Sequence, residues 1–290
     1  MVLGSGVAGL GAYAHAAPTP TPVAGCNTRA AVPASYTTNV HGVARTYRVH
    51  LPAGYNGRKA FPLILAYPGH AEPSARFERY TGLSALPAIV VYPDGLLGTD
   101  RTVAWQGAPY SSPQADDIAF TSTILREVRA NLCVNRARTY AVGHSNGGGL
   151  VSMLACRLPG DFAAYAIVNG ALYAQSQAAC TTSRAPASII DFHGTADPTI
   201  RYNGGEHLGG SYPPIFAAAQ SWARRNGCVP TPLTIPITNS VTQFVWPLCN
   251  ALGSEVSHYR ITGGKHRWPV GNIAATRLIW QFFNRHPLSI

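Results

Sequence analysis

The chain has 290 residues, of which 46% are hydrophobic and 12% charged, and its formal net charge is +10. This balance excludes an intrinsically disordered protein and fits one large α/β domain with a sizeable core. The basic residues are scattered singly or in pairs such as Arg224-Arg225. Nucleic-acid grooves need clustered basic residues, so we expect no nucleic-acid partner; the open alternatives are a solvated basic surface and attraction to an acidic polysaccharide.

Residues 1–25 are first small and apolar and then rich in proline, which predicts an export signal and an extended linker, although no basic segment comes first. A single folded domain is expected over residues 26–290. No later apolar run has the length of a membrane span, so we expect no membrane partner. The cysteines form no Cys-x-x-Cys motif, which disfavours a metal site and suits three disulfides in a secreted, extracellular protein. The sequence does not choose their pairing; the pairs we favour are Cys26–Cys133, Cys156–Cys180 and Cys228–Cys249.

The first half of the domain begins with a predicted β-hairpin over residues 35–52, which alternates and turns at His41-Gly42. Continuous apolar runs at 61–67 and 88–93 predict strands buried on both faces, with a short helix between them. Apolar residues then recur every three or four positions from Ile118 to Leu132. They predict a helix that Asp116 or Asp117 caps.

The second half alternates strands and helices. Strands are predicted at 138–142, 162–170, 187–194 and 254–261, and helices at 147–158, 215–227 and 272–283, the last one capped by Asn272. This alternation predicts a mostly parallel central sheet with helices on both faces. Ligands of such sheets bind at the carboxyl ends of the strands, so polar residues directly after strands are the candidates for chemistry.

The segment "GHSNGGG" (143–149) lies between a predicted strand and a predicted helix. A strand that turns at once into a helix makes a tight bend, and Gly143 and Gly147 remove side chains that would collide there. The bend lifts the hydroxyl of Ser145 out of the sheet, and the helix directs its first amides at the same place. We therefore interpret Ser145 as a nucleophile; the alternative is a glycine-rich turn with an incidental serine.

A serine nucleophile needs a base, and the base needs a carboxylate that orients it. His266 follows the last strand on a glycine-rich loop, whereas the other histidines lie in the hairpin, in a strand, in the tail or beside the serine. Asp197 follows the strand at 187–194, and Asp191, inside that strand, is the alternative. The order Ser145, Asp197, His266 is that of α/β-hydrolases.

Attack on an ester creates an oxyanion that needs two amide donors. One is expected to be the amide of Asn146, and the other the amide of Gly69 or His70, since Pro68 has no amide hydrogen.

Four stretches together resemble one known family: "GHSNGGG", "VVYPDG" with "WQG", "HGTADPTI" with "YNGG", and "GGKHRWP". The chain is similar over Tyr47 to Phe283 to the secreted polyhydroxybutyrate-depolymerase-like esterases of carbohydrate esterase family one, especially the fungal feruloyl esterases. The resemblance implies an α/β-hydrolase fold, ester cleavage through an acyl-enzyme on Ser145, Asp197 and His266, and no metal or other cofactor. Pro68-Gly69 stands where the family usually has His-Gly, which puts the second oxyanion donor in doubt, whereas Asn146 is a minor departure.

The resemblance predicts a monomeric enzyme that releases ferulic or related hydroxycinnamic acids from plant cell-wall arabinoxylan. Alternatives are an acetylxylan esterase, a short-chain polyhydroxyalkanoate depolymerase and, from another class, a hydrolase-fold binding protein without turnover. Loop aromatics could form an acyl pocket, or they could simply pack the loops. They are Trp105, Tyr110, Tyr202 and Tyr212. Residues 203–214 could form a rim over the site or a plain surface connection.

Overall fold

The structure, a computed structural model, describes residues 25–27, 33–178, 180, 185–250, 253–271 and 273–288. All but the last residue of the predicted export signal and linker lie outside the described residues. The strands are β1 (Ser35–Val40), β2 (Val43–His50), β3 (Phe61–Tyr67), β4 (Ile89–Pro93), β5 (Leu96–Leu97), β6 (Val103–Ala104), β7 (Val134–His144), β8 (Ala164–Val168), β9 (Ile189–Gly194), β10 (Gly205–His207), β11 (Gly210–Tyr212), β12 (Leu233–Thr238), β13 (Val241–Trp246) and β14 (Val256–Ile261). The helices are α1 (Ser74–Thr81), α2 (Asp117–Asn131), α3 (Asn146–Arg157), α4 (Ala174–Ala178), α5 (Ile215–Arg225) and α6 (Ala275–Arg285), with a 3₁₀ turn at Leu83–Ala85.

The main sheet has ten strands in the order β1-β2-β4-β3-β7-β8-β9-β14-β13-β12. The six strands from β4 to β14 are parallel, and antiparallel strands extend the sheet on both sides. Successive residues of a strand face opposite sides of the sheet. Leu63 and Leu65 pack with α2, α3 and α5, whereas Ile64 and Ala66 pack with α1 and α6. The mostly parallel sheet with helices on both faces is therefore confirmed.

Among the described residues, three β-hairpins were not predicted, and one of them pairs β5 with β6. β12 and β13 add an antiparallel extension beyond β14, and β10 pairs with β11 within residues 203–214. β12 is an edge strand that contains Pro236. Proline is tolerated there because one side of an edge strand has no neighbouring strand, so its backbone amides on that side make no hydrogen bonds within the sheet. Proline and the exposed positions of β12 hid this strand from a reading based on apolar runs.

The helix starts refine two predicted caps. Asp116 caps α2, since its side chain accepts a hydrogen bond from the amide of Ala119 at 2.9 Å. Asp117 is no cap: it is fully buried and forms an ion pair with Arg45 at 2.7 Å. Helix α6 begins at Ala275 with Ala274 at its N-cap position, and the predicted cap Asn272 lies outside the described residues.

Three disulfides join Cys26 to Cys133, Cys156 to Cys180 and Cys228 to Cys249, the pairs favoured above. The first connects the beginning of the domain to the residue just before β7, and the second connects α3 to the segment after α4. Within the described part of the chain, no helix has both the length and the apolar character needed to cross a bilayer.

Candidate active site

Ser145 lies at the turn between β7 and α3 and has φ 53° and ψ −119°. A positive φ is strained for a residue with a side chain, so the surrounding packing must impose it. The neighbouring glycines allow this turn: a Cβ on Gly143 would lie 2.2 Å from the carbonyl oxygen of Gly147, and one on Gly147 would lie 2.3 Å from that of Tyr67. The structure thus forms the tight strand-to-helix bend that the segment predicts.

The Ser145 side chain does not cap helix α3, although Ser145 occupies the N-cap position. The first amides of a helix have no partner within the helix and direct positive charge outward. The hydroxyl therefore lies where a developing negative charge would be stabilised. The turn itself is fixed by the Ser145 amide, which donates to the carbonyl of Val168 at 2.9 Å.

Asp197 and His266 are in direct contact. Nδ1 of His266 donates to Oδ2 of Asp197 at 2.6 Å. The two residues follow β9 and β14, which are parallel neighbours, so their loops leave the sheet side by side. The two loops approach each other so closely that a Cβ on Gly194 would lie 2.2 Å from the carbonyl oxygen of Gly264. Glycine is therefore the residue that fits at position 194.

The carboxylate of Asp197 is held on both oxygens and is 4% exposed. Its Oδ1 accepts the amides of Thr199 and Ile200 at 2.8 and 2.9 Å. Burial opposes ionisation, but the imidazoles of His193 and His266 and the amide of Ile200 outweigh it and lower the pKa of Asp197 far below its usual range. An ionised, oriented carboxylate is what a histidine base requires on its Nδ1 side.

Asp191, the alternative carboxylate, is engaged elsewhere. Its Oδ2 accepts from Nδ1 of His258 at 2.5 Å inside the sheet. Nε2 of His258 in turn contacts the hydroxyl of Tyr202 at 2.8 Å. His258 is fully buried, so this Asp–His–Tyr chain lies within the fold rather than at the turn that bears Ser145.

His144 connects the serine turn to the His266 loop. Its ring centroid lies 5.0 Å from that of His266, and a Cβ on Gly69 would lie 3.3 Å both from His144 Nδ1 and from Ser145 Cβ. Neither ring nitrogen of His144 has a hydrogen-bond partner among the described residues; Nδ1 lies 3.8 Å from Oε2 of Glu72. Burial, together with the nearby His266, lowers the pKa of His144, which keeps the imidazole neutral.

The expected oxyanion donors have different surroundings. Asn146 begins α3, so its amide has no partner within the helix. The amide of Gly69 already donates to Oε2 of Glu72 at 3.0 Å, which argues against Gly69 as a donor to substrate. His70 is fixed through its ring, since Nε2 lies 2.7 Å from Asp100 Oδ2 and 2.6 Å from Thr102 Oγ1.

Trp105 is 1% exposed. Its indole nitrogen donates to the carbonyl of Pro68 at 2.8 Å, and its amide donates to Oδ1 of Asn146 at 2.7 Å. The residue therefore connects the loop after β3 to the start of α3, which favours the loop-packing alternative for Trp105.

The three tyrosines also support loops. Tyr110 and Tyr212 are 6% and 5% exposed, and both rings meet Tyr173 edge-on. Tyr110 also contacts the His70 ring at 4.1 Å, and the Tyr212 hydroxyl accepts the amide of Arg201 at 3.0 Å. Tyr212 borders a cavity of about 490 Å³, shared with Ala174, Gln177, Ala178, Ser211 and Pro213. Tyr202, half-buried, contacts His258.

Sequence reasoning missed three groups at this edge of the sheet. Glu72 binds the Gly69 amide and the Tyr80 hydroxyl, and Asp117 accepts the amide of Gln106 at 2.6 Å. His193 donates to the carbonyl of Ile200 at 2.7 Å and lies 3.4 Å from Asp197. For Asp117 the sequence does contain a signal: it lies next to Asp116, and a helix cap needs only one of the two, so the other is available for a different role.

The chain is similar in sequence to fungal esterases. It is 31% identical over 258 residues to feruloyl esterase B of Piromyces equi, which covers 83% of this chain and 45% of that protein, so the chain spans under half the length of this relative. It is 28% identical to feruloyl esterase C of Emericella nidulans over 82% of this chain and 83% of that protein. No family model matches the chain.

Solved structures agree on the fold. An acetyl xylan esterase from Aspergillus awamori superimposes with a TM-score of 0.62 over 83% of this chain and 94% of its own, at 12% identity. An S-formylglutathione hydrolase from Agrobacterium tumefaciens has a TM-score of 0.56 over 87% of this chain and 94% of its own, also at 12% identity. The resemblance drawn from the motifs is thus confirmed: the chain has the α/β-hydrolase fold and is a relative of the fungal feruloyl esterases.

Proposed function

We propose that this chain is a secreted serine carboxylic-ester hydrolase that releases ferulic or related hydroxycinnamic acids from plant cell-wall arabinoxylan. The observation that most supports it is the contact between Asp197 and His266 at the edge of the sheet that carries the strained turn of Ser145. The names of the relatives support the aromatic acyl group. Disulfides persist outside the cell, which supports secretion.

In the proposed mechanism, Nε2 of His266 takes the proton of Ser145 while Oγ attacks the ester carbonyl. Asp197 stays ionised and stabilises the imidazolium that forms. The imidazolium then gives its proton to the sugar oxygen as the ester C–O bond breaks, so that the sugar leaves as an alcohol and an acyl-enzyme remains. Water, activated by the same imidazole, releases the acid and restores the serine.

The oxyanion is assigned to the amides of Asn146 and His70. Gly69 is the less suitable second donor, because its amide is occupied by a carboxylate that would also repel an oxyanion. Trp105 acts here as a positioning residue: it binds the Pro68 carbonyl and the Asn146 side chain, and so fixes the distance between the two donor segments.

The test uses methyl ferulate, acetylated xylan, a short polyhydroxybutyrate oligomer and an activated phenyl ester in parallel. Ser145→Ala is expected to lower kcat by about a thousandfold or more, and Asp197→Asn by about ten-thousandfold, because the histidine loses its orienting carboxylate. Ser221→Ala, the same change on an exposed part of α5, serves as the control. Equal rates for wild type and Ser145→Ala would favour a binding protein without turnover.

Hydrolysis of acetate or hydroxybutyrate esters without methyl ferulate would reject the hydroxycinnamoyl assignment and keep the esterase. We also propose that the enzyme acts as a monomer, because one chain provides all the residues assigned to the mechanism. Size-exclusion chromatography of the active protein checks this state.

A further inference from the structure

Four basic residues lie close in sequence to residues of the candidate site. Lys265 and Arg267 flank His266, Arg201 follows Asp197 on the same loop, and Arg101 follows Asp100, which binds the His70 ring. We call the four side chains the cationic rim: Lys265, Arg267, Arg201 and Arg101. All four are exposed.

The side chains of the rim have no polar partner among the described residues. Across the described ranges, none of its four side chains forms an ion pair within 4.0 Å or a side-chain hydrogen bond. Other arginines contrast with it, since Arg45 pairs with Asp117 and Arg129 with Asp161. The described part of the fold therefore leaves these four charges unpaired, so they can bind a ligand.

The backbone of the rim is nevertheless held in place. The carbonyl of Arg267 accepts from Nδ2 of Asn169 at 2.8 Å, and the amide of Arg201 donates to the Tyr212 hydroxyl at 3.0 Å. The amide of Arg101 donates to the carbonyl of Gly98 at 3.1 Å. The backbone of these three residues is thus fixed by hydrogen bonds, whereas their side chains are exposed to solvent.

Acidic groups at the same edge do not cancel the rim. Asp197 and Asp100 contact His266 and His70, and Glu72 is largely buried against the Gly69 amide. Two exposed acids lie in this region, Glu206 on β10 and Asp100, which binds the His70 ring. With an overall charge of +10, the mouth of the site attracts anions.

We propose that the cationic rim binds the carboxylates of uronic acid residues on the polysaccharide that bears the ester. This inference rests on the proposed function and deepens it: the arabinoxylan chains that the enzyme prefers are those that carry uronic acid groups. Guanidinium and ammonium groups bind carboxylates through charge-assisted hydrogen bonds, which neutral sugars cannot offer. A chain held by the rim would present its ester beside His266.

The test is inhibition of methyl ferulate hydrolysis by oligogalacturonate at low ionic strength, with a neutral xylo-oligosaccharide of equal length for comparison. The acidic oligomer is expected to raise the apparent KM of methyl ferulate and to lose most of this effect at about 0.5 M salt, where charge interactions are screened. The neutral oligomer should have at least about fivefold weaker inhibition.

Substitutions within the cationic rim test whether the acidic oligomer binds there. Lys265→Gln/Arg267→Gln is expected to weaken inhibition by at least about fivefold relative to the variant's own uninhibited rate, and Arg101→Gln/Arg201→Gln provides a second pair if the first fails to fold. The matched control is Arg58→Gln/Lys59→Gln, which removes the same charge from exposed residues before β3, at the opposite edge of the sheet, and should leave inhibition unchanged.

Equal weakening by the control pair would show a general effect of net charge and overturn the inference. Equal inhibition by the acidic and the neutral oligomer would also overturn it, and so would no inhibition by either one. If methyl ferulate turnover is normal in these cases, the esterase proposal stands. A protein that hydrolyses no ester in the panel fails the proposed function instead, and direct titration with oligogalacturonate then tests the rim by itself.

Discussion

The backbone amide of Trp105 donates to the side-chain oxygen of Asn146 at 2.7 Å, although 41 residues separate them. The side-chain nitrogen of Asn146 returns a weaker contact to the Trp105 carbonyl at 3.4 Å. Asn146 also begins helix α3 directly after Ser145. One side chain therefore connects the loop that carries Trp105 to the turn on which the proposed chemistry depends.

Asn146→Ala is expected to destabilise the protein by about 1–3 kcal/mol, because it leaves the buried amide of Trp105 without an acceptor. The Asn146 backbone amide remains, so activity measured well below the melting temperature should fall much less than in Ser145→Ala. Urea unfolding and methyl ferulate kinetics measure the two effects. Asn56→Ala is the control, since Asn56 accepts a backbone amide in an exposed turn. An unchanged free energy of unfolding for Asn146→Ala would contradict this role.

The sheet and the residues that follow its strands could be predicted from sequence, because strands buried on both faces form continuous apolar runs. The turn at Ser145 could be predicted as well, since only glycine fits where a backbone passes within 2.3 Å of a would-be Cβ. Asp197 and His266 were chosen as candidates because they come directly after the predicted strands that correspond to β9 and β14.

The support of the site could not be predicted in this way. Glu72 looks like any surface acid in the sequence, and its contact with the Gly69 amide depends on how one loop folds back. Trp105 is of a residue type that is common in binding pockets, and only its burial in the structure favours the loop-packing alternative. Contacts between loops depend on which distant segments meet in the folded chain. Neither the periodicity nor the spacing of residues in the sequence gives that information.

Tyr202→Phe distinguishes loop support from substrate contact. The change removes the hydroxyl that contacts His258 at 2.8 Å and leaves the ring in place. Because His258 is fully buried, its Nε2 loses its partner, and we expect a loss of about 1–3 kcal/mol in the free energy of unfolding. The KM for methyl ferulate should change less than about threefold. A KM increase of more than about tenfold with unchanged stability would restore Tyr202 to the substrate site.

His144 is expected to make the folded state sensitive to mild acid. Burial lowers its pKa in the folded state, whereas an unfolded chain takes up a proton on histidine as the pH falls below about 6.5. The unfolded state then binds more protons, so the stabilisation present above this pH is lost as the solution is acidified. Glu72, whose pKa is lowered despite burial by contacts with His144, Gly69 and Tyr80, behaves in the same direction at lower pH.

The measurement is the melting temperature between about pH 7.5 and 5, a window above the ordinary glutamate range. His144→Phe keeps a ring against Phe77 and Trp268 and removes the titration, so its melting temperature should decline less with acid than that of the wild type. His41→Gln is the control, because the His41 side chain is 72% exposed. Parallel curves for His144→Phe and wild type would refute this origin of acid sensitivity.

The disulfides should differ in their contribution to stability. Cys26 and Cys133 are 107 residues apart, whereas Cys228 and Cys249 are 21 apart. A bond that closes a longer loop removes more conformational entropy from the unfolded chain. Cys26→Ala/Cys133→Ala should therefore lower the free energy of unfolding by about 1.4 kcal/mol more than Cys228→Ala/Cys249→Ala.

Urea unfolding of the two double variants at one pH measures this difference, with the wild type as reference. The slope of the unfolding free energy with urea must also be compared, because loss of the longer cross-link lets the unfolded chain expand and expose more surface. Equal losses for both pairs would mean that native packing around the sulfurs, rather than the entropy of the unfolded chain, sets their contribution. A larger loss for Cys228–Cys249 would reverse the order and place the weak point of the domain beside β13 instead of at the start of β7.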